Sequence, residues 1–306
     1  MERTSKKKFG QKIKSNLYLL ILIAPTISFY ILFCIVPMHG LVLAFKKFMP
    51  NAGVFGSPWV GFDNFEFIFQ FPDFINVFWN TLFISLGRIA LGFWVPIILA
   101  VLINELRFKK FKKVSQTFLT FPHFLSWVII AGFIRTMFSG TGVVNNILAQ
   151  MGLSKVSFLS DGKFFLVLIF LSDIWKEAGW SSIIYLAVIT NIEPELYEAA
   201  SIDGANRFQR IIHITLPGIK SMAVLLLLLS IGGVLSAGFD QIYNLYNPLV
   251  YNVADILDTY IYRIVFGTSI NQGVGVAVGL FKSIISFILL FSADRIAKML
   301  GERGVF

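Results

Sequence analysis

In the stretch "SDIWKEAGW", Asp173, Lys176, Glu177 and Trp180 stand at i, i+3, i+4 and i+7, a spacing that places all four on one face of a helix. The stretch lies inside an apolar run, Phe164 to Ile189. A charge at the centre of a membrane-spanning helix costs at least about 2.5 kcal/mol, so this face should turn toward other helices or a wet cavity. Two carboxylates beside an ammonium could relay protons or ions. They could equally line a solute path, with Trp180 as an aromatic platform, or form an ion network that only fixes packing. Arg88 and Arg135, in other apolar runs, can compensate the acids. In a further run, Ser230, Gly233 and Ala237 recur at i, i+3 and i+7 as a small-residue face that Asp240 and Tyr243 extend. Such a face serves close helix packing or leaves room for a bulky ligand.

Sets of residues that do covalent chemistry are missing from the sequence. There is no G-x-x-x-x-G-K-[ST] phosphate loop and no G-x-S-x-G nucleophile turn. His39, His123 and His213 have no second histidine at metal spacing, and Cys34 is the single cysteine, so no thiolate site or intrachain disulfide can form. The chain is therefore expected to be no enzyme, with no metal and no cofactor of its own.

The elements that must position these residues follow from composition. Of 306 residues, 56% are hydrophobic, 33 are Phe and only 14% are charged, which exceeds what a soluble core could hide. An all-α polytopic membrane protein is expected. Six runs approach the roughly 20 residues that a bilayer core requires: Leu17 to Pro37, Val77 to Asn104, Val114 to Phe138, Phe164 to Ile189, Met222 to Phe239 and Gly273 to Ala293. The net charge of +9 carries no nucleic-acid reading here, because its distribution follows the spans. Lys plus Arg number six before Leu17, five from Glu105 to Lys113, three from Thr190 to Lys220 and three after Ala293, whereas the opposite loops hold Lys46, Lys47, Lys155 and Arg263. The positive-inside rule then puts both termini and the second and fourth loops in the cytoplasm, with the first span retained. Residues 1–16 are read as a basic cytoplasmic start, 17–297 as one six-helix domain and 298–306 as a short cytoplasmic tail. In the outer loops, a short helix is expected in "GVVNNILAQMG", and the tyrosines of "QIYNLYNPLVYNVADILDTYIYR" suit either a headgroup belt or a mouth where sugars stack.

One charged stretch, residues 194–217, interrupts the apolar pattern. Pro194 suits a first helical turn, Glu195 and Glu198 follow where the helix dipole favours them, and Gly204 can close the helix in a left-handed conformation after about ten residues. A second short helix, Ala205 to Ile214, should pack Phe208, Ile211 and Ile212 back on the bundle, face Arg207 and Arg210 to water and stop at Pro217. Ala199 and Ala200 leave a shallow surface for another backbone. The stretch suits an ordinary surface helix or a docking helix.

"EAASIDGANRFQRIIHITLPG" resembles the EAA loop of the permease subunits of binding-protein-dependent ABC importers, matching at Glu198, Ala199, Ala200, Asp203, Gly204, Ala205, Ile214, Leu216 and Pro217. The family often has a second proline where this chain has Ser221. The segments "SDIWKEAGWSSIIYLAVITNIEPELYEAA" and "FDQIYNLYNPLVYNVADILDTYIYR" resemble the branch that imports oligosaccharides and polysaccharide fragments. The resemblance implies a multi-pass permease of the bacterial cell membrane. It also implies that residues 198–205 form a coupling helix docked on an ATPase, and that Asp173, Lys176, Glu177, Trp180, Ser230, Gly233, Ala237, Asp240 and Tyr243 flank a sugar path. The implied partners are a second homologous permease subunit, two ATP-binding subunits that hold ATP and Mg, an extracytoplasmic solute-binding protein, the sugar ligand and membrane lipid. The rival reading is an ion-coupled secondary transporter using the charges of the fourth span. Inverted repeats would be expected there, and none is visible.

Overall fold

The computed structural model describes residues 16–70, 72–267, 271–301 and 304, so most of the basic start and part of the tail lie outside the described residues. Apolar runs become helices because backbone groups in lipid have no water to bond and must satisfy one another. In chain order the helices are α1 (Leu17–Tyr30), α2 (Gly53–Gly56), α3 (Asp63–Gln70), α4 (Pro72–Asn104), α5 (Lys109–Thr120), α6 (Trp127–Phe138), α7 (Val143–Gln150) and α8 (Gly162–Thr190). They continue as α9 (Pro194–Ile202), α10 (Arg207–Arg210), α11 (Leu216–Gly232), α12 (Phe239–Leu245), α13 (Tyr251–Ala254), α14 (Leu257–Phe266) and α15 (Gln272–Met299). No strand occurs among the described residues beyond an isolated bridge between Lys46 and Trp59. The short helix expected in the second outer loop is α7.

Among the described residues, five stretches are long and apolar enough to cross a membrane: Leu17–Phe45, Asp73–Asn104, Trp127–Gln150, Arg207–Gly232 and Gln272–Met299. The run expected as the fourth span is the 29-residue α8, whose Asp173, Lys176 and Glu177 keep it below the same apolar standard.

Three expectations need correction. The third run is no single helix: a 3-10 turn, Phe121–Phe124, separates α5 from α6, because Pro122 has no N–H for the helical ladder and Ser126 starts a new helix by accepting from the Ile129 N–H. Pro217 does not stop the helix before the fifth run. A π-helical turn, Ile211–Thr215, joins α10 to α11, and this change of hydrogen-bond register lets Pro217 enter near the start of α11, where its missing donor is harmless. The fifth run ends early. α11 stops at Gly232, a 3-10 turn covers Val234–Ser236, and Ala237 and Gly238 take positive φ of 29° and 79° before α12 begins.

Two compact units divide the chain. The first holds the described residues up to Phe67 together with Asn271–Leu280. Here α1 buries none of its residues, and it runs on through a π-turn, Ile31–Ile35, and a 3-10 helix, Val36–Phe45. Leu22 is 74% and Phe33 66% exposed, a state that water would penalise but lipid tails accept without cost. The loop after it is pinned rather than slack. Buried Asn64 donates to the Ala44 and Lys46 carbonyls at 2.9 and 3.0 Å, and Lys46 Nζ donates to Val54 O and Phe55 O at 3.0 and 2.8 Å.

The second unit, Ile68–Ile270 with Phe281 onward, contains the candidate sites. Its centre is the packing of α4 along α8. One apolar cluster gathers Ile84, Ile130, Phe165, Ile169 and Ile242; another gathers Ile97, Ala100, Tyr185, Ile189 and Ile219. Since lipid is as apolar as these side chains, close packing and hydrogen bonds hold the helices together, and small residues decide where backbones meet. Gly179 is such a point: a Cβ there would overlap the Leu119 carbonyl of α5. Asp161 starts α8 by accepting from the Lys163 and Phe164 N–H groups at 2.9 and 3.2 Å.

Candidate functional site

The helical spacing of Asp173, Lys176, Glu177 and Trp180 puts them on one face of α8, and the fold brings two partners from elsewhere. Arg88 of α4 reaches Asp173, with Nη1 3.4 Å from Oδ1. His123, on the turn between α5 and α6, places Nδ1 2.7 Å from Glu177 Oε2 and stacks on Trp180 at 4.6 Å with the rings 2° from parallel. Lys176 is 6% exposed. Its Nζ donates to the His123 carbonyl at 2.5 Å, lies 3.3 Å from Glu177 Oε1 and sits 5.7 Å over the Trp127 ring. The face therefore clamps the Pro122 turn onto α8, as Gly179 lets the α5 backbone come close.

Of the two arginines that could compensate the acids, Arg88 does so; Arg135 instead donates to the Asn244 carbonyl at 2.6 Å. His123 was legible only as an isolated histidine, since it stands 53 positions before Lys176 in the chain. Its one local signal is the neighbouring proline, which breaks the helix and turns the ring inward.

The small-residue face does not form. Ser230 lies in the last turn of α11 and Gly233 caps it, while Ala237 is buried beyond the helix break, so the i, i+3, i+7 spacing spans three backbone conformations. Ser230 lines a cavity of about 310 Å³ with Gly92, Phe93, Ser181, Tyr185 and Leu226. Asp240 is exposed on α12. Tyr243 stacks on Phe239 and donates to the Tyr262 hydroxyl at 3.2 Å, a bond that pushes the Tyr243 hydroxyl above the ordinary phenol range. Beyond it, Arg263 pairs with buried Asp255 at 2.5 Å and covers the Tyr251 ring at 4.9 Å.

The second candidate site is the loop between α8 and α11. α9 runs nine residues from Pro194, and its end is built as the sequence requires. Gly204 has φ +79°, Asp203 N–H bonds Ala199 O at 3.0 Å and Ala205 N–H reaches Ala200 O at 2.8 Å, the pattern that closes a helix through a left-handed glycine. Asn206 and Gln209 then cap α10 reciprocally, at 2.9 and 2.8 Å. Glu198 and Ala199 are exposed, Ala200 is half-buried, and Ala200, Asp203, Gly204 and Ala205 border a hollow of about 280 Å³ with Gln209 and Arg210. Two expectations fail on α10. Phe208 is 69% exposed and does not pack on the bundle. Arg210 does not simply face water; it donates to Ser201 Oγ at 2.9 Å and fastens α10 to α9. Tyr197 and Thr215 add a hydroxyl contact at 2.9 Å.

No group of three or more potential metal ligands occurs among the described residues. A helical membrane chain with paired charges along α8 and an exposed, capped helix before its fifth apolar run is built as a permease. Residues 92–303 match the family of binding-protein-dependent transport system inner membrane components, and the chain belongs to it as a multi-pass membrane subunit of an ABC transporter. It is 42% identical to Protein LplB of Bacillus subtilis (strain 168), over 96% of this chain and 92% of that protein. It is also 42% identical to the polygalacturonan/rhamnogalacturonan transport system permease protein YteP of the same organism, over 100% and 95%. Among solved structures, a permease chain of a bacterial ABC transporter involved in the import of the acidic polysaccharide alginate superposes with a TM-score of 0.88 at 39% identity, covering 95% of this chain and 99% of that one.

Proposed function

We propose that this chain is one permease subunit of an ATP-driven importer that carries a sugar, an oligosaccharide, across the cell membrane by alternating access. Six spans are counted, with α8 as the fourth and both termini in the cytoplasm; α9 with Glu198, Ala199, Ala200, Asp203, Gly204 and Ala205 is then a cytoplasmic coupling helix. It docks on one of two ATP-binding subunits, which hold ATP and Mg, while a second permease subunit completes the path and an extracytoplasmic binding protein delivers the ligand. Docking of that protein and of ATP favours the outward-facing state only by binding it better than the inward-facing one.

The observation that carries this reading is the exposed α9, shaped by a glycine cap rather than by contacts with the bundle. The relative named for a polygalacturonan/rhamnogalacturonan transport system and the solved transporter involved in alginate import support a sugar as ligand, as do the polar and aromatic residues on one face of α8. The intramembrane charges speak against ion coupling: Asp173 pairs with Arg88, Glu177 with Lys176 and His123, and Lys282 with Asp258 at 2.5 Å. An ion relay needs a carboxylate that exchanges its partner for the ion.

The test is uptake by the reconstituted complex. Oligosaccharide accumulation should require both ATP and the binding protein. Accumulation driven by a proton or sodium gradient alone would reject the reading.

A further inference from the structure

α5 is turned the opposite way from a surface helix of a water-soluble protein. Its half-buried side holds Ser115, Gln116, Leu119 and Thr120, and its backbone meets α8 where the Leu119 carbonyl lies against Gly179. The side turned away from the bundle carries Phe111, Val114 and Phe118, continued by Phe121 in the turn that follows, each between 58% and 79% exposed. Water would penalise such a stripe, whereas acyl chains solvate it.

The start of the same helix is strongly cationic. Arg107, Lys109, Lys110, Lys112 and Lys113 stand against a single nearby acid, Glu105. Lys112 donates to Asn104 Oδ1 at 3.4 Å. Arg107, Lys109, Lys110 and Lys113 are exposed and form no ion pair among the described residues. Cations at the positive end of a helix repel its dipole, and no acid in the first turn offsets them. An anion brought from outside the chain would relieve both repulsions.

The lysines and the stripe are parts of one surface. Lys110, Val114 and Phe118 form one i, i+4 row along α5, and Lys113, Thr117 and Phe121 form the next, so each row starts at a lysine and ends at a phenylalanine. Between the rows runs a groove of about 470 Å³ lined by Lys113, Val114, Thr117, Phe118 and Phe121. From Lys113 to Phe121 it follows the helix for about 12 Å, a length that part of an acyl chain fills. A second helix is the poorer occupant. Helices in lipid meet where small residues let backbones approach, as at Gly179, and α5 contains no Gly or Ala. A helix laid there would also have to bring acids for the lysines beside the groove.

We infer that this face of α5 holds an anionic phospholipid: Lys109, Lys110 and Lys113 bind the phosphate-bearing headgroup, and an acyl chain lies in the groove along Val114, Phe118 and Phe121. The site is separate from the sugar path and does not depend on the ligand carried. It supports α5 from the side opposite its contact with α8.

The experiment gives the delipidated full transporter complex, in neutral detergent, either phosphatidylglycerol or phosphatidylcholine with the same acyl chains, and measures bound lipid by native mass spectrometry. The wild type should bind phosphatidylglycerol about ten- to hundredfold better. The triple variant Lys109→Gln, Lys110→Gln, Lys113→Gln should bring the two lipids within a few-fold, and Lys155→Gln, a charge removed from another loop, should keep the wild-type ratio. No preference in the wild type, or a preference that survives the triple variant, would overturn the inference. Equal loss of both lipids in the triple variant would make the lysines structural and overturn it too. Phe118→Ser should weaken both lipids together, and unchanged binding would remove the groove from the site. Inorganic phosphate should not displace the lipid; displacement would assign the lysines to a free anion instead. A photoreactive phenylalanine analogue in place of Phe118 should yield an adduct with the mass of a phospholipid, whereas a crosslink to another subunit would show that protein covers this face and reject the lipid.

Discussion

The charged face of α8 and the loop built on α9 hold their polar groups by opposite means. On α8 the two acids are each met by a residue far away in sequence: Asp173 by Arg88, Glu177 by His123. In the loop the bonds are short-range, Ala205 to Ala200, Asn206 to Gln209 and Arg210 to Ser201. The difference follows from solvent. In lipid a polar group without a protein partner has none, so partners must be recruited from other helices. In water a helix end needs only its own cap, and the surface stays open for a second protein. Long-range answers make α8 sensitive to packing, whereas the loop should tolerate substitutions everywhere except at its cap and its contact surface.

The sharpest break should come at Gly179. Gly179→Leu drives a side chain into the Leu119 carbonyl, and backbone cannot yield as a side-chain tip can. We expect the yield of assembled complex, measured by size-exclusion chromatography from detergent, to fall at least about tenfold, with Gly179→Ala intermediate. Wild-type yield for both would mean that α5 does not lie against α8.

This contrast also explains what could be read from residues alone. The helix from Pro194, its glycine end and the face shared by Asp173, Lys176, Glu177 and Trp180 are local properties, and they were legible from spacing. The break at Pro122 had a local signal too, a proline followed four residues later by a capping serine, but the apolar residues around it read as one span. His123 at Glu177, Gln241 at Ser172 and the close approach at Gly179 depend on helices meeting, and no spacing within one run reports that. The end of α11 was missed for a related reason: Ser230, Gly233 and Ala237 fit a helical face, yet the break is set by Val234 and Leu235 burying themselves, with Gly238 against Arg88.

The next effect in size should be at Lys176. Lys176→Met removes the donor to the His123 carbonyl and the partner of Glu177, and the unmet groups should cost about 1–3 kcal/mol of stability. Because Glu177 is 39% exposed, part of its charge stays solvated and the loss should fall short of that for a fully buried pair. Adding Glu177→Gln should restore part of the thermal stability of the complex, and the double-mutant cycle measures the coupling. A strictly additive pair would dissolve the link between α8 and the Pro122 turn.

The loop should respond in function rather than stability. Gly204→Val forces a branched side chain into a left-handed backbone at a cost of about 1–2 kcal/mol, enough to shift the end of α9 and not enough to unfold the bundle. Together with Glu198→Lys it should leave the membrane-inserted amount near wild type while sugar moved per ATP hydrolysed falls several-fold. Unchanged stoichiometry in both variants would remove α9 from the coupling path.

The smallest effect, and the most informative about the path, should come from Trp180. The ring is 42% exposed and contributes no hydrogen bond to the clamp; its contacts are the stack on His123 and an edge contact with Phe124 at 5.7 Å. Trp180→Ala therefore removes an aromatic surface while leaving the bonds of His123 to Glu177 and of Lys176 to the His123 backbone in place. If the ring serves only to pack the turn, complex stability and uptake should drop together. If sugars stack on its open face, uptake should slow several-fold with thermal stability nearly unchanged, and Trp180→Phe should recover most of the rate because a smaller ring still offers a platform. We expect the second pattern, since a ring held parallel to an imidazole on one side and open on the other is more than the clamp requires.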